Sequence, residues 1–120
     1  MLRFIKQLNQ NKTIINAYKN NIPIGNTISH VMDNCGYINN IEIYKSCRYN
    51  NFGTKLLQET ENALLENNIK NIHINAWQKQ GENTLEFFLK NGYTLRDNNY
   101  NIYDNGEVIY DIIPIIKTLY

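Results

Sequence analysis

Two runs of β-favouring residues near the N-terminus predict an antiparallel hairpin. They extend from Thr13 to Tyr18 (TIINAY) and from Ile22 to Met32 (IPIGNTISHVM), and a short polar segment separates them. Two such runs joined by a short polar turn are typical of paired strands. The residues Asp33-Asn34-Cys35-Gly36 predict a second turn, in which Gly36 is free to adopt a positive φ.

A third strand is predicted from Tyr37 to Tyr44 (YINNIEIY). Its apolar residues are Ile38, Ile41 and Ile43, so the alternation slips by one residue between Ile38 and Ile41. An extra residue in one strand of a pair produces such a slip. We therefore expect a β-bulge in this strand.

The apolar period then changes to that of an α-helix, from Thr54 to Asn67. The buried stripe of this helix is expected to comprise Leu56, Leu57, Thr60, Ala63 and Leu64. From Ile69 to Trp77 the period returns to two residues, which predicts another strand. A strand, a helix and a strand in close succession form a βαβ unit, whose two strands are parallel.

A second helix is predicted from Thr84 to Lys90. Asn83 is a suitable N-cap residue for it, and Asn91-Gly92 is a typical helix end. This short helix separates the βαβ unit from the last β-rich part of the chain.

The C-terminal part predicts a β-hairpin. Its strands, Tyr93 to Tyr103 and Glu107 to Ile116, flank Asp104-Asn105-Gly106, and Asn-Gly between β-rich runs is the strongest short hairpin signal. Pro114 predicts an edge or an irregular end in the last strand. The elements together predict a mixed α/β fold with antiparallel N-terminal strands, a central βαβ crossover, and a C-terminal helix followed by a β-hairpin.

The composition indicates an ordinary globular protein. The chain has 120 residues and a net charge of +1, which suits one domain over residues 1–120 and provides no overall field toward nucleic acid or anionic lipid. No apolar run is long enough to cross a membrane, and the N-terminus lacks the features of a signal peptide. With Cys35 and Cys47 as its two cysteines, the chain is expected to be cytoplasmic and to have free thiols.

The segment from Ile41 to Leu57 is the best candidate for a binding site. It combines an apolar strand, a polar loop and the start of an amphipathic helix. Arg48 and successive backbone N–H groups would lie beside the positive end of the helix dipole, which favours a phosphate. Gly53 would allow a ligand to approach the backbone closely. The sequence has neither the GxxxxGK[ST] motif of P-loop proteins nor the GxGxxG motif of dinucleotide-binding proteins.

This segment resembles the pyrophosphate-binding motif of the GNAT N-acetyltransferase superfamily, Q/R-x-x-G-x-G/A. The resemblance rests on Arg48 and Gly53, with Asn51 in place of the first glycine. Ile41 and Ile43 precede the motif at the spacing usual in the family.

A second motif of the family, N-x-x-A-x-x-F-Y-x-x-x-G-F, resembles the stretch from Thr84 to Tyr93. Thr84 aligns with the alanine of this motif, Phe88 with its tyrosine and Tyr93 with its final aromatic residue. Asn83 could take the place of its asparagine. Both motifs occur in the family's order, and the resemblance extends from about Thr13 to Tyr120.

The resemblance implies an acetyl-CoA-dependent N-acetyltransferase with a GNAT-like fold, which transfers an acetyl group to a primary amine of a protein, peptide or small molecule. It implies that the fourth and fifth strands splay apart around the pantetheine arm, which pairs with the backbone of Ile41 and Ile43. The amide of Ile43 would polarise the thioester carbonyl. The implied cofactor-binding residues are Ile41, Ile43, Arg48, Tyr49, Asn50, Asn51, Phe52, Gly53, Thr54, Asn83 and Phe88.

The catalytic residues implied by the resemblance are less well defined. Tyr37 falls near a position where some relatives have a catalytic glutamate, and Glu42 is the only carboxylate of that strand. Phe88 replaces the tyrosine that commonly protonates the departing thiolate, so turnover is expected to be slow. Solvent, Tyr93 or the substrate ammonium could take over that role.

Two alternatives to an enzyme stay open at this point: an acyl-CoA-binding module without turnover, and an interaction domain that keeps the fold. The N-terminal region is shorter than is usual in the family, so the acceptor side is expected to be open or completed by a partner subunit, as in a homodimer. His30 and His73 have no cysteine or carboxylate at metal-ligand spacing, so no metal is expected. Trp77, Phe87 and Phe88 are expected to be core aromatics.

Overall fold

The computed structural model describes residues 2–44, 51–79 and 82–119. Within these ranges it contains eight strands and two helices, so the predicted mixed α/β fold is confirmed. In chain order the elements are β1 (Leu2–Asn9), β2 (Lys12–Lys19), β3 (Ile22–Met32), β4 (Cys35–Ile43), α1 (Phe52–Glu66), β5 (Asn71–Gln78), α2 (Thr84–Lys90), β6 (Thr94–Leu95), β7 (Tyr100–Asp104) and β8 (Glu107–Thr118). No helix among the described residues is long and apolar enough to span a membrane.

The chain forms two compact units, and the first consists of the described residues up to Ile72 together with Leu119. In this unit β1 to β4 pair in sequence order, each antiparallel to the next. The apolar stripe of α1 packs on this sheet because Leu56, Leu57 and Leu64 are almost completely buried. The core cluster includes Ile15, Ala17, Ile24, Phe52, Leu56 and Ala63.

The bulge predicted in the third strand is confirmed in β4. Ile28 of β3 lies opposite Asn40, whereas the next residue, Ser29, lies opposite Ile38, so Asn39 is the extra residue. Ile38 is buried, whereas Asn39 and Asn40 are both exposed. The bulge therefore changes which residues of β4 face the core.

The turn between β3 and β4 was predicted correctly in place, but the role expected of Gly36 is wrong. Positive φ occurs at Asp33 (53°) and Asn34 (61°), whose short polar side chains tolerate the left-handed region. Gly36 lies inside β4, where an added Cβ would come within 2.9 Å of a methyl group of Leu64. Its small size therefore accommodates the close packing of α1 on the strand.

The second unit extends from His73 to Thr118 and contains nearly all of β5, together with α2 and the last three strands. The predicted hairpin is confirmed, since β7 and β8 are antiparallel and Asn105 (φ 51°) and Gly106 (φ 81°) form the turn. The strand expected from Tyr93 to Tyr103 is wrong in its middle part, because β6 and β7 are separate short strands.

The irregular end expected at Pro114 is also wrong. Pro114 is buried inside β8, at the point where the strand changes its partner. Before it, Ile112 pairs with Tyr100 of β7, and after it Ile115 pairs with Leu95 of β6. Because a proline has no N–H to donate, it suits a gap between two strand ladders.

Candidate functional site

The candidate phosphate site begins at the C-terminal end of β4. Ile41 and Ile43 are half-buried and pack against the core cluster of the first unit, whereas Glu42 between them is exposed. Tyr44 continues the strand's hydrogen bonding through its N–H, which donates to the Ile24 carbonyl at 2.9 Å. The carboxylate of Glu42 therefore faces solvent, and the two isoleucines anchor the strand end.

The backbone at Asn51 starts α1 in the left-handed region, with φ 59° and ψ 14°. This conformation favours glycine, which the resemblance placed at this position, and asparagine is among the few other residues that adopt it readily. The first intrahelical bond joins the Lys55 N–H to the Asn51 carbonyl at 3.1 Å. Arg48, Tyr49 and Asn50, predicted to complete the loop, lie outside the described residues.

The first turn of α1 suits an anion. The side chain of Asn51 forms no capping hydrogen bond, and the first turn contains no acidic residue. Phe52 anchors this turn in the core, while Gly53 and Thr54 are partly exposed. The N-terminal amides of a helix attract negative charge through their partial positive charge. The described part of the loop therefore fits a phosphate group.

Replacing Asn51 tests the importance of this backbone conformation. Asn51→Val is expected to lower the free energy of unfolding by about 1–2 kcal/mol, because a β-branched residue is strained in the left-handed region. Asn51→Gly is the matched control and should leave stability within about 0.5 kcal/mol of the parent. Urea unfolding of both variants measures the difference, and equal stabilities would contradict the assigned conformation.

The two candidate catalytic residues of β4 are not brought together. Tyr37 stacks on His30 of β3, with ring centroids 5.1 Å apart and an interplanar angle of 13°. The Nδ1 atom of that histidine lies 2.7 Å from the Asn39 Oδ1 atom, so the bulge is part of the same cluster. Glu42 lies five positions after Tyr37, which is about 16 Å along the strand at ~3.3 Å per residue. The two side chains therefore belong to different ends of β4.

The residues of the second motif lie in the second unit. The predicted bounds of α2 are confirmed and Asn83 is its exposed N-cap, but the asparagine side chain makes no capping hydrogen bond. Instead, the Gln78 Oε1 atom accepts the Leu85 N–H at 2.9 Å. The sequence analysis missed this cap because the two residues belong to different elements.

Phe88 is buried to 2% exposure and packs edge-to-face on Tyr93, which is equally buried. Lys117 extends over the ring of Tyr93 at 5.5 Å from its centroid and donates a hydrogen bond to the Asn91 carbonyl at 2.7 Å. The expectation that Phe88 is a core aromatic is therefore confirmed. Trp77, by contrast, is 53% exposed, so its assignment to the core is wrong.

An unforeseen polar cluster occupies the exposed face of β5. The Arg96 guanidinium reaches the His73 Nδ1 atom at 2.8 Å and the Asn75 Oδ1 atom at 3.3 Å. Because arginine can only donate, Nδ1 of His73 is the acceptor and its ring is neutral. Partial burial, followed by the charge of Arg96, lowers the pKa of His73 below its usual value of 6.5. No local signal connects residues more than twenty positions apart.

The shifted pKa of His73 can be measured by NMR titration. We expect its pKa below 6.5, and Arg96→Gln should raise that pKa only partly, since burial is the larger cause. The unfolded chain then takes up a proton before the folded chain, so this group lowers stability as the pH falls below about 6.5. A His73 pKa above 6.5 would contradict the arrangement.

Side chains of the types that ligate metals do not cluster in the described part of the chain. In the described ranges, no group of three or more His, Cys, Asp or Glu side chains is close enough to hold a metal ion.

The sequence matches the model of the acetyltransferase (GNAT) family over residues 2–93. No curated protein matches it. Among solved structures, a GNAT family acetyltransferase from Elizabethkingia anophelis with acetyl-CoA bound has a TM-score of 0.79 at 16% identity, with 98% of each chain covered. An acetyltransferase from Bacillus subtilis in complex with CoA has a TM-score of 0.76 at 13% identity, with 99% of this chain and 98% of the other covered.

A shorter overlap occurs with the PaiA N-acetyltransferase from Thermoplasma acidophilum in complex with coenzyme A. Its TM-score is 0.72 at 16% identity, and the match covers 90% of this chain and 61% of that protein. At these identities the likeness establishes the fold alone. The family match and the fold agree with the resemblance found in the sequence.

Proposed function

Since the chain belongs to the acetyltransferase (GNAT) family, we propose that it transfers the acetyl group of acetyl-CoA to the nitrogen of a primary amine. The observation that supports this most directly is the start of α1, where a left-handed Asn51 precedes a helix turn without acidic residues. This is the position at which the family motif binds a pyrophosphate. Acetyl-CoA supplies an activated thioester, and the chain's own residues bind and orient the reactants.

Each part of the segment has a proposed role. Arg48 and the amides from Tyr49 to Thr54 would hold the pyrophosphate, and the backbone of Ile41 and Ile43 would bind the pantetheine arm. The attacking nitrogen forms a bond to the acetyl carbon while the bond from that carbon to sulfur breaks. The Ile43 N–H would stabilise the oxygen that becomes negative in between. Much of the rate would come from alignment of the two reactants.

Proton transfer is the step for which this protein offers the fewest candidate residues among those described. The amine must lose a proton and the thiolate must gain one, for which enzymes use positioned acids and bases. The described Glu42 is exposed at the end of β4 and is the proposed base, alone or through water. Phe88 has no hydroxyl, so the proton would come from solvent or from the substrate ammonium itself. Tyr37, at the far end of β4, stays a second proposed catalytic residue.

The lack of a hydroxyl at Phe88 supports one alternative, a module that binds acyl-CoA without turnover. A general acid contributes typically about 10²–10⁴-fold to a rate, so its absence leaves a slow enzyme or none. Release of the CoA thiol in the presence of a panel of amines separates the two functions. Release no faster than thioester hydrolysis would favour the binding module.

Thermal unfolding with acetyl-CoA tests the cofactor assignment. Ligand at about 100 times its Kd should stabilise the protein by about 2.7 kcal/mol, which raises the Tm by several degrees. Arg48→Glu is expected to weaken acetyl-CoA binding by about tenfold or more, because it places a like charge against the phosphates, and to leave the ligand-free Tm nearly unchanged.

Lys12→Glu is the matched control for this variant. It makes the same change of charge at the start of β2, where Lys12 pairs with His30 near the end of β3. The candidate site is at the other end of β3, where the Tyr44 N–H donates to the Ile24 carbonyl. Parent and Lys12→Glu should bind acetyl-CoA equally well. Equal affinity of Arg48→Glu would contradict the phosphate site, and no Tm rise at millimolar acetyl-CoA would contradict the proposed function.

A further inference from the structure

One face of β5 in the second unit carries three side chains in a row. His73, Asn75 and Trp77 alternate with the buried Ile74 and Ala76, so the three lie on the same side of the strand. His73 is half-buried, whereas Asn75 and Trp77 are exposed. A ligand that lies along this face would therefore contact all three side chains.

The guanidinium of Arg96 is fixed on this face by two neutral acceptors. Its Nη1 atom donates to the His73 Nδ1 atom at 2.8 Å, and its Nη2 atom donates to the Asn75 Oδ1 atom at 3.3 Å. Within residues 2–44, 51–79 and 82–119, Arg96 forms no ion pair. A guanidinium has five N–H donors, so three are left for another acceptor. The arginine is thus held in place with its charge uncompensated, an arrangement suited to a carboxylate.

Trp77 provides an aromatic surface beside this cation. Its indole is 53% exposed and meets the Tyr110 ring edge-to-face, with centroids 5.1 Å apart and an interplanar angle of 67°. The ammonium of Lys79 lies 5.5 Å from the centroid of the Tyr110 ring, which adds a second positive charge near the indole. Tryptophan and arginine are the side chains that most often dominate binding energies. The face therefore favours a ligand that combines a ring with a negative charge.

Two carboxylates close in sequence to these cations bind backbone amides. The Asp97 Oδ1 atom accepts the Asn98 N–H at 2.8 Å, and the Glu82 Oε1 atom accepts the Lys79 N–H at 3.0 Å. Neither carboxylate forms an ion pair with Arg96 in the described part of the chain. An incoming carboxylate would therefore not have to displace an acidic side chain from the guanidinium.

We propose that this face binds a small arylalkanoic acid, with its carboxylate on the Arg96 guanidinium and its ring against the Trp77 indole. Asn75 and Trp77 are about 6.6 Å apart along the strand, at ~3.3 Å per residue. This spacing suits a carboxylate and a ring that are joined by a chain of two or three atoms. The binding requires neither acetyl-CoA nor turnover, so it is independent of the proposed function.

An NMR titration of the whole chain tests the proposal with 3-phenylpropionate as the probe. Trp77 is the only tryptophan, so its indole N–H signal reports on the ring end, and the His73 ring signals report on the Arg96 end. The neutral control is 3-phenylpropanamide, which has nearly the same shape without the charge. The acid should shift both sets of signals at a lower concentration than the amide does.

Two outcomes of this titration would overturn the proposal. Equal affinities of the acid and the amide would show that Arg96 does not bind the carboxylate. A shift of the Trp77 signal without a shift of the His73 signals would place the carboxylate away from Arg96. The absence of any shift at high millimolar acid would count as equal, and absent, affinity.

Three variants locate the site. Arg96→Gln should weaken binding of 3-phenylpropionate by about fivefold or more, because the charge-assisted contact is lost. Trp77→Leu should weaken it by about two- to tenfold, the effect of one aromatic pair, with His73 as the reporter. Arg3→Gln is the matched control, because Arg3 also lies beside an aromatic ring, 5.6 Å from the Tyr18 centroid, but belongs to the first unit.

The control variant should bind the acid like the parent. Unchanged affinity of Arg96→Gln would overturn the proposal, and the comparison of acid with amide in the parent stays decisive even where Arg96→Gln lowers the Tm. Binding of the acid by a protein that shows no Tm rise with acetyl-CoA would contradict only the proposed function. A Tm rise with acetyl-CoA and no binding of the acid would contradict only this site.

Discussion

Gly25→Ala is expected to lower the free energy of unfolding by about 3 kcal/mol, at the upper end of the usual cost of overpacking. A Cβ at Gly25 would overlap the Glu42 carbonyl oxygen and would lie 2.9 Å from the Ile43 Cδ1 atom. The first of these contacts involves backbone, so no side-chain rotation relieves it. The end of β4 has to move, and acetyl-CoA binding should weaken along with stability.

Gly36→Ala is the matched control for this prediction. Gly36 is also a buried strand glycine, but its nearest atoms are the methyl groups of Leu64, at 2.9 and 3.2 Å, and of Ile69, at 3.3 Å. These side-chain ends can shift, so we expect a cost of about 1 kcal/mol and unchanged acetyl-CoA affinity. Urea unfolding and calorimetric titration of both variants measure the two effects. A larger loss of stability for Gly36→Ala would contradict the packing of β3 against β4.

Thr60→Val should lower the free energy of unfolding by about 1–3 kcal/mol, the cost of leaving a buried hydroxyl without a partner. The Thr60 hydroxyl donates to the Leu56 carbonyl at 3.0 Å, so its single proton is used there. The Thr27 hydroxyl, 2.7 Å away, must therefore donate to the Thr60 oxygen. Both side chains are completely buried, so Thr27 loses its acceptor when Thr60 becomes valine.

The reverse substitution is expected to cost less. In Thr27→Val, Thr60 keeps its bond to the Leu56 carbonyl, so the loss should be about 1 kcal/mol. The double variant should lose less than the sum of the two, since no buried hydroxyl then lacks a partner. Urea unfolding of the four proteins completes the cycle. An additive result, or a larger cost for Thr27→Val, would contradict the assigned direction of the hydrogen bond.

Much of the fold follows from spacing along the chain. The helix stripe, the slip between Ile38 and Ile41, and the Asn-Gly turn are local patterns, and the structure has all three. Each depends on the conformation of a few consecutive residues, which the sequence encodes directly. The predicted family was also confirmed from local motifs. The first motif aligns Asn51 with a glycine of the family, and the structure has Asn51 in the left-handed region, which favours glycine.

Other features depend on contacts between distant segments, which spacing does not encode. A small residue is needed at position 36 because α1 packs closely on β4 there. Pro114 is tolerated inside β8 because the strand changes its pairing partner from β7 to β6 at that point. The contact of Arg96 with His73 likewise joins separate elements.

Some features of the candidate site likewise follow from local sequence, and others depend on contacts between distant segments. The sequence by itself determined the succession of elements from β2 to α2 and the bulge in β4, because each arises from neighbouring residues. Only the tertiary structure decided that Trp77 is exposed, that Tyr37 stacks on His30, and that Arg96 reaches His73. The physical reason is that burial and side-chain contacts depend on which surfaces pack together, and strands far apart in sequence supply those surfaces.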